Sequence, residues 1–375
     1  MKIALQFAVA TAVLLLSAMA ARASPHTQHF TVECATGRTI TEALATGDSR
    51  KPLVITVSGT CNEFVVISRD DVTLEGDSIS GGTVNAPNAT GFAVTVEANR
   101  VTIDRLTVTG GLDGILVRHA AMAIVSNSTI QNTNRYGINI IDSHARILNC
   151  TVQKAGSHGV SLQNSGVQVN NSQIFDNGAS GIYSRMNSGL NANGNNIHSN
   201  GGTGVYLYMD SSGFFTGNTI SNNGTDSTSN FERNGILVSF SNANLTGNTI
   251  ENNSGNGVKG VAARVDMFSN TVRDNGGGGV WAFGTFLGMS GDTVKTNQGY
   301  GVLFNVHSTG SIFGAFIENN FGNGISLAQG SKLILSQPTS VVGNSALGLD
   351  CFGAGTYVND TSLLSGNVSP NCTEF

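Results

Sequence analysis

The chain has 375 residues, of which only 11% are charged and 48 are glycine, and its net charge is −5. Typical domains carry about 25% charged residues and about 7% glycine, so no basic field for nucleic acid is present. Short Val/Ile/Leu runs recur throughout, which excludes a disordered chain.

Residues 1–23, MKIALQFAVATAVLLLSAMAARA, read as a signal peptide: Lys2 gives a positive start, an apolar run follows, and Ala21-Arg22-Ala23 is a small-x-small cleavage pattern. The run is shorter than the ~18–20 residues of an uncleaved membrane anchor. The mature chain is therefore expected to be secreted or periplasmic, without a transmembrane segment after cleavage. Five cysteines in an exported chain suggest disulfides, most economically Cys34–Cys61 and Cys351–Cys372, one at each end. Cys150 is left over, at a repeat position that Ser128 and Ser172 fill in neighbouring repeats; this suits a small half-buried residue better than a nucleophile. Residues 24–63 are expected to form an N-terminal cap, with TITEALAT (39–46) as a short helix. The segments at 64–68, 71–76, 92–98 and 100–108 alternate loosely, as strands of the first turns of a solenoid would.

From Gly114 onward the alternation becomes a repeat. A glycine followed by Ile, Val or Leu stands at 114, 137, 159, 181, 204, 235, 257, 279, 301, 324 and 348, 22 to 24 residues apart except for one interval of 31. Each opens a period-two segment such as GVYLY (204–208), the pattern of a half-buried strand. A second apolar marker trails each opener, and three residues after it stand Asn177, Asn200, Asn223, Asn253, Asn275, Asn297 and Asn320. Stacked asparagines bond amide to amide at one strand spacing, which satisfies turn groups that burial would strand. A coil of about 22 residues with short strands and Asn/Gly turns is one turn of a parallel β-helix. A leucine-rich repeat is excluded by the missing Leu-x-x-Leu-x-Leu frame. The expected fold is all-β: a single-stranded right-handed parallel β-helix over 64–349, with residues 350–375 as C-terminal cap.

The Gly-Ile/Val openers, the Asn column and the lead-in VSGTCNEFVVISRDDVTLEG (57–76) resemble the right-handed parallel β-helix proteins of the pectate-lyase-like superfamily, and most of all its exported bacterial repeat proteins. The resemblance covers most of the mature chain and implies the fold. For activity it implies only a range, from polysaccharide lyases, hydrolases, epimerases and esterases to non-catalytic surface proteins. It also implies that the outward face of the opener strands is the sugar-binding cleft. Ser157-His158-Gly159 echoes the Gly-His-Gly of polygalacturonase-like hydrolases, but the matching paired aspartates are missing. Asp113, Asp142 and Asp210 are scattered rather than clustered as in calcium-dependent lyases, and no Asp-Pro-His-Asp run of the alginate-epimerase kind occurs. No cofactor and no metal site are expected.

With the opener strand running Gly-in-out-in-out, one outward column includes Tyr183, Tyr206, Lys259 and Trp281, and the next includes Arg118, Arg185 and Tyr208. Aromatic rings with a polar tip suit sugars, and Arg and Lys suit carboxylates or sulfates. Tyr183, Tyr206, Tyr208, Lys259 and Trp281 are thus the candidate substrate-binding residues. The 31-residue interval places a loop, GTDSTSNFER (224–233), beside this face, and long insertions in solenoids often border the functional side. At the groove's edge Tyr136 and His158 fall in adjacent coils. With Arg118 and Arg185 they form the candidate catalytic set for β-elimination on a uronate: one group takes the C5 proton, another protonates the leaving oxygen, and cations neutralise the carboxylate. The expected partner is an extracellular, uronate-containing polysaccharide bound by a monomer, with lyase-like cleavage or epimerisation left open. The alternative is a non-catalytic cell-envelope or adhesion rod.

Overall fold

The structure is a computed structural model that describes residues 26–226, 232–336, 338–352, 357–359 and 372–374. The expected signal peptide at 1–23 lies outside these residues, as does much of the expected C-terminal cap.

The fold is the expected parallel β-solenoid. One coil shows how it is built. Val205–Tyr208 forms the opener strand, Ser212–Thr216 a middle strand, and Thr219–Ser221 a short third strand. Val205, Leu207, Phe215 and Ile220 point inward and are fully buried. Each strand pairs in parallel with its counterpart one coil away, so thirteen opener strands, from Val65–Ile67 to Leu349–Phe352, form one sheet. The middle and short strands form two further sheets. These join through the long strand Leu53–Asn62, whose first half pairs with Val72–Gly76 and second half with Gly82–Asn85. The looser segments before Gly114 supply the first coils. Thirteen strands about 4.8 Å apart make a rod roughly 58 Å long.

The three sequence columns meet at one corner. A Cβ on Gly204 would lie 2.6 Å from Ile220, 2.8 Å from the Asn223 amide and 2.7 Å from the Gly235 carbonyl oxygen. The opener is glycine because the apolar marker and the asparagine occupy the space where a side chain would sit. The asparagine ladder forms as expected. Asn200 Nδ2 donates to Asn223 Oδ1 at 2.9 Å, and Asn223 Nδ2 to Asn253 Oδ1 at 3.0 Å. The ladder runs one coil further than the sequence reading, to Asn344.

A second ladder went unread. Asn195, Asn218, Asn248 and Asn270 each donate to the next amide at 2.8–2.9 Å, ending on the buried carboxylate of Asp292. It occupies the column of Ser128, Cys150 and Ser172. Cys150 N–H donates to Ser172 Oγ, and its own buried thiol lies against the Val125 and Leu148 carbonyls. Burial pushes this thiol up to about 11, far from a reactive thiolate.

Helix Ile40–Thr46 starts at a capping box formed by Thr39 and Glu42. The Glu63 carboxylate accepts its first N–H groups, from Ile40 at 2.7 Å and Thr41 at 3.0 Å, as the positive helix terminus favours. Both expected disulfides, Cys34–Cys61 and Cys351–Cys372, are present.

Candidate functional site

The opener sheet is in the register the columns require. Tyr183 pairs with Tyr206, Tyr206 with Leu237, Leu237 with Lys259, and Lys259 with Trp281. Arg185 pairs with Tyr208 in the adjacent outward column. Parallel in-register pairing brings like positions within one strand spacing, so the rings meet. Tyr136 and His158 have centroids 5.6 Å apart, His158 and Tyr183 4.6 Å, Tyr183 and Tyr206 5.2 Å, and Tyr206 and Tyr208 5.6 Å, with planes inclined by 21° to 46°. Rings lying side by side in one plane could not approach so closely. Tyr136 and His158 are stacked and the other pairs are tilted, Tyr206 and Tyr208 being neighbours on one strand rather than on successive coils, and Arg135 covers Tyr136 at 4.7 Å. The tyrosines of this face thus form a contiguous run of rings from Tyr136 to Tyr208, with His158 among them.

Burial pushes Tyr206 up to about 12, helped by Tyr183, Tyr208 and Glu232, with a hydrogen bond to Ser239 acting the other way. Burial also raises Tyr183. Both phenols are neutral donors at physiological pH. Arg185 lies 5.7 Å from the Tyr183 centroid and donates to Gln163 at 2.7 Å.

At the groove edge, His158 is buried, and its Nδ1 accepts the Ser180 N–H at 3.0 Å. Burial, and then the charge of Arg185, lower it to about 4. His158 is thus a neutral imidazole protonated at Nε2, with its Nδ1 lone pair committed. Tyr136 is held beside it by a network the sequence reading did not see. Fully buried Asp113 accepts two bonds from Arg135 at 2.7 and 2.8 Å, one from the Tyr136 N–H at 3.2 Å and one from Asn139 Nδ2 at 2.9 Å. The one signal for it was the repeat spacing that stacks Asp113, Tyr136 and His158. Arg118 is not brought to this edge. It sits at the far end of its strand from Asp113, five residues or roughly 16 Å along the backbone, and pairs with Glu97 at 2.6 Å.

Lys259 and Trp281 form a second cluster, two and three coils beyond Tyr206. The ammonium lies 4.4 Å from the Trp281 ring centroid and 2.9 Å from Glu232 Oε1. Glu232 comes from the long loop, of which residues 227–231 lie outside the described residues, and its carbonyl accepts the Thr203 hydroxyl. Between the two clusters the floor is closed by buried Leu237 and Ser239. Among the described residues no group of three or more His, Cys, Asp or Glu side chains could hold a metal ion, and no helix is long and apolar enough to cross a membrane.

A family model described as "Right handed beta helix region" matches residues 54–189, 142–290 and 180–346. No curated protein matches the chain. Among solved structures, the catalytic unit of a thermostable GH87 α-1,3-glucanase from Streptomyces thermodiastaticus is similar at a TM-score of 0.58 and 16% identity, covering 88% of this chain and 66% of that one. The A-module of the mannuronan C-5 epimerase AlgE4 from Azotobacter vinelandii is similar at 0.57 and 13% identity, covering 86% and 95%. The Dettilon tailspike protein is similar at 0.56 and 16% identity, covering 83% of this chain and 63% of its own. At these identities the likeness shows the fold.

Proposed function

The chain belongs to the right-handed β-helix family, within the pectate-lyase-like superfamily, and from that premise we propose that its opener face binds an acidic polysaccharide lying along the rod. The observation that carries this is the run of tyrosines at 183, 206 and 208 on adjacent coils, with Arg185 in register with Tyr208 and Lys259 two coils beyond Tyr206. The phenols offer hydroxyl donors, and the cations offer partners for carboxylates. The coil spacing of about 4.8 Å nearly matches a sugar unit, so successive units meet successive coils. Solved β-helix relatives named as an α-1,3-glucanase, a mannuronan epimerase and a tailspike are consistent with a polysaccharide partner. The two disulfides suit a secreted or periplasmic chain.

Binding is favoured over elimination because His158 is neutral with Nδ1 already bonded, and because Arg118 is remote from it. Tyr206→Phe is the sharpest test, since it keeps the ring in the stack and removes only the hydroxyl edge. We expect trigalacturonate binding, measured by calorimetry, to weaken about five- to tenfold, as loss of one neutral hydrogen bond to a sugar hydroxyl implies, and cellotriose binding to stay weak throughout. Unchanged trigalacturonate affinity in this variant would sink the proposal. The elimination reading is favoured by one contact, the stacking of Tyr136 on His158. It predicts a rise in unsaturated-product absorbance that His158→Ala abolishes.

A further inference from the structure

The middle sheet carries a feature that the opener face does not use. Its first outward position reads Met122, His144, Gly166, Gly189 and Ser212 over successive coils, in register. Two adjacent coils thus lack a side chain where the coils on either side have one. Packing does not demand these glycines. A Cβ on Gly189 would meet nothing nearer than Ser212 Oγ at 4.0 Å, and on Gly166 only the edge of the His144 ring at 2.8 Å. This contrasts with the opener glycines, whose Cβ would strike backbone. The gap opens a trough of about 510 Å³. Along its side stand Arg146, Gln168, Asn191 and Phe214, one per coil.

A glycine inside a strand marks a bulge, a bend or a place where a ligand or another backbone approaches closely, and these two strands continue in register with neither bulge nor bend. The lining chemistry states which ligand. Arg146 and His144 are the ionisable groups that line the trough, and no carboxylate lines it. Gln168 and Asn191 present planar amides one coil apart, able to bond neighbouring hydroxyls, and Phe214 is 55% exposed beside them. The four coils span roughly 14 Å at about 4.8 Å per step, the length of two to three sugar units. We propose that this trough is a second, separate glycan site, which takes an anionic oligosaccharide of two to three units with its carboxylate on Arg146 and a sugar face over the bare backbone of Gly166 and Gly189.

Gly189→Val is the decisive variant, because its Cβ enters open space on an outward strand position that favours β-branched residues, so the fold is retained while the floor is filled. Calorimetry with trigalacturonate should show two sites per chain in the unaltered protein and one in Gly189→Val, at an unchanged unfolding midpoint. Arg146→Ala should weaken the same site at least tenfold. If the opener-face reading is wrong, the unaltered protein shows a single site and Gly189→Val still removes it. Stoichiometry and affinity unaltered by Gly189→Val overturn the proposal, as does an Arg146→Ala variant that keeps full affinity at this site.

Discussion

Breaking the first asparagine ladder in its middle gives a prediction whose size follows from the bonds counted. Asn223 Oδ1 accepts both the N–H of Asn200 at 3.2 Å and its Nδ2–H at 2.9 Å. Asn223 Nδ2 donates to the Ile197 carbonyl and to Asn253 Oδ1, both at 3.0 Å. Asn223→Ala leaves two buried donors unpaired, at about 1–3 kcal/mol each, so a loss of about 4 kcal/mol is expected. Asn344→Ala removes the same two acceptor bonds from Asn320, but Asn344 is only part-buried and water replaces them; about 1 kcal/mol is expected. Asn223→Asp separates geometry from charge. A carboxylate still accepts from Asn200, but it faces the Ile197 carbonyl and the Asn253 oxygen with no hydrogen to give, and it is fully buried. It should cost more than alanine at pH 7 and less than alanine near pH 4, where the carboxyl is protonated. Urea unfolding followed by circular dichroism at both pH values measures all three. Equal costs at positions 223 and 344, or an aspartate at 223 tolerated at pH 7, would refute the ladder as the source of the energy.

Asp292 obeys the same logic from the other side, since the next residue in its column is Ala315, which asks for no donor. Burial raises its carboxyl to about 6 from 3.8. A folded pKa above the unfolded one means the contribution is complete below about pH 4 and lost as pH rises to about 6, some 3 kcal/mol at 1.36 kcal/mol per unit; Asp292→Asn should flatten that part of the urea-midpoint profile. Cys150→Ser should cost no more than about 1 kcal/mol, since Ser172 Oγ already makes the equivalent bond to Asn170 O at 3.0 Å, and the native thiol should resist labelling that the unfolded chain accepts. Glu232→Gln should raise trigalacturonate affinity about threefold by freeing Lys259 from its half-exposed partner; a fall would show that the pair builds the groove rather than competes for it.

What the sequence reading reached and missed divides along a physical line. Every coil repeats the same constraint at its corner, so the columns of Gly204, Ile220 and Asn223 were visible as spacing before they were visible as contacts. The second ladder was half visible, because Cys150 had already been aligned with Ser128 and Ser172, two residues before the apolar marker. The same offset continues as Asn195, Asn218, Asn248, Asn270 and Asp292. Period two says which side of a sheet a residue faces, not how exposed that side is. Leu116, Asn139, Ser161 and Leu237 face outward yet are buried beneath their neighbours. Nor does spacing set ring orientation, which follows from stacking at one strand spacing. Spacing stacks Asp113 beneath Tyr136 but says nothing of its burial or of the Arg135 fork that its carboxylate accepts from.

Tyrosines favour strands, and each stacked pair is worth about 0.5–1.5 kcal/mol, so the aromatic run on the opener face would stabilise the rod even with nothing bound. Two neighbouring features do not fit a purely structural device. The Ser161 and Ser180 hydroxyls are buried beside His158 and Tyr183 with no hydrogen-bond partner among the described residues, and so is the Trp281 indole N–H beside Lys259. Each such group costs about 1–3 kcal/mol when left unmade. A face built for stability alone would carry alanine and phenylalanine there and forgo that cost. Groups of this kind beside both clusters are what the proposed groove would need, although the inward-facing Ser184 hydroxyl has no partner among the described residues either. Ser180→Ala and Trp281→Phe therefore separate the two accounts: each should stabilise or leave unchanged the empty rod while weakening trigalacturonate, and a loss of stability with binding intact would assign the run of rings to the fold alone.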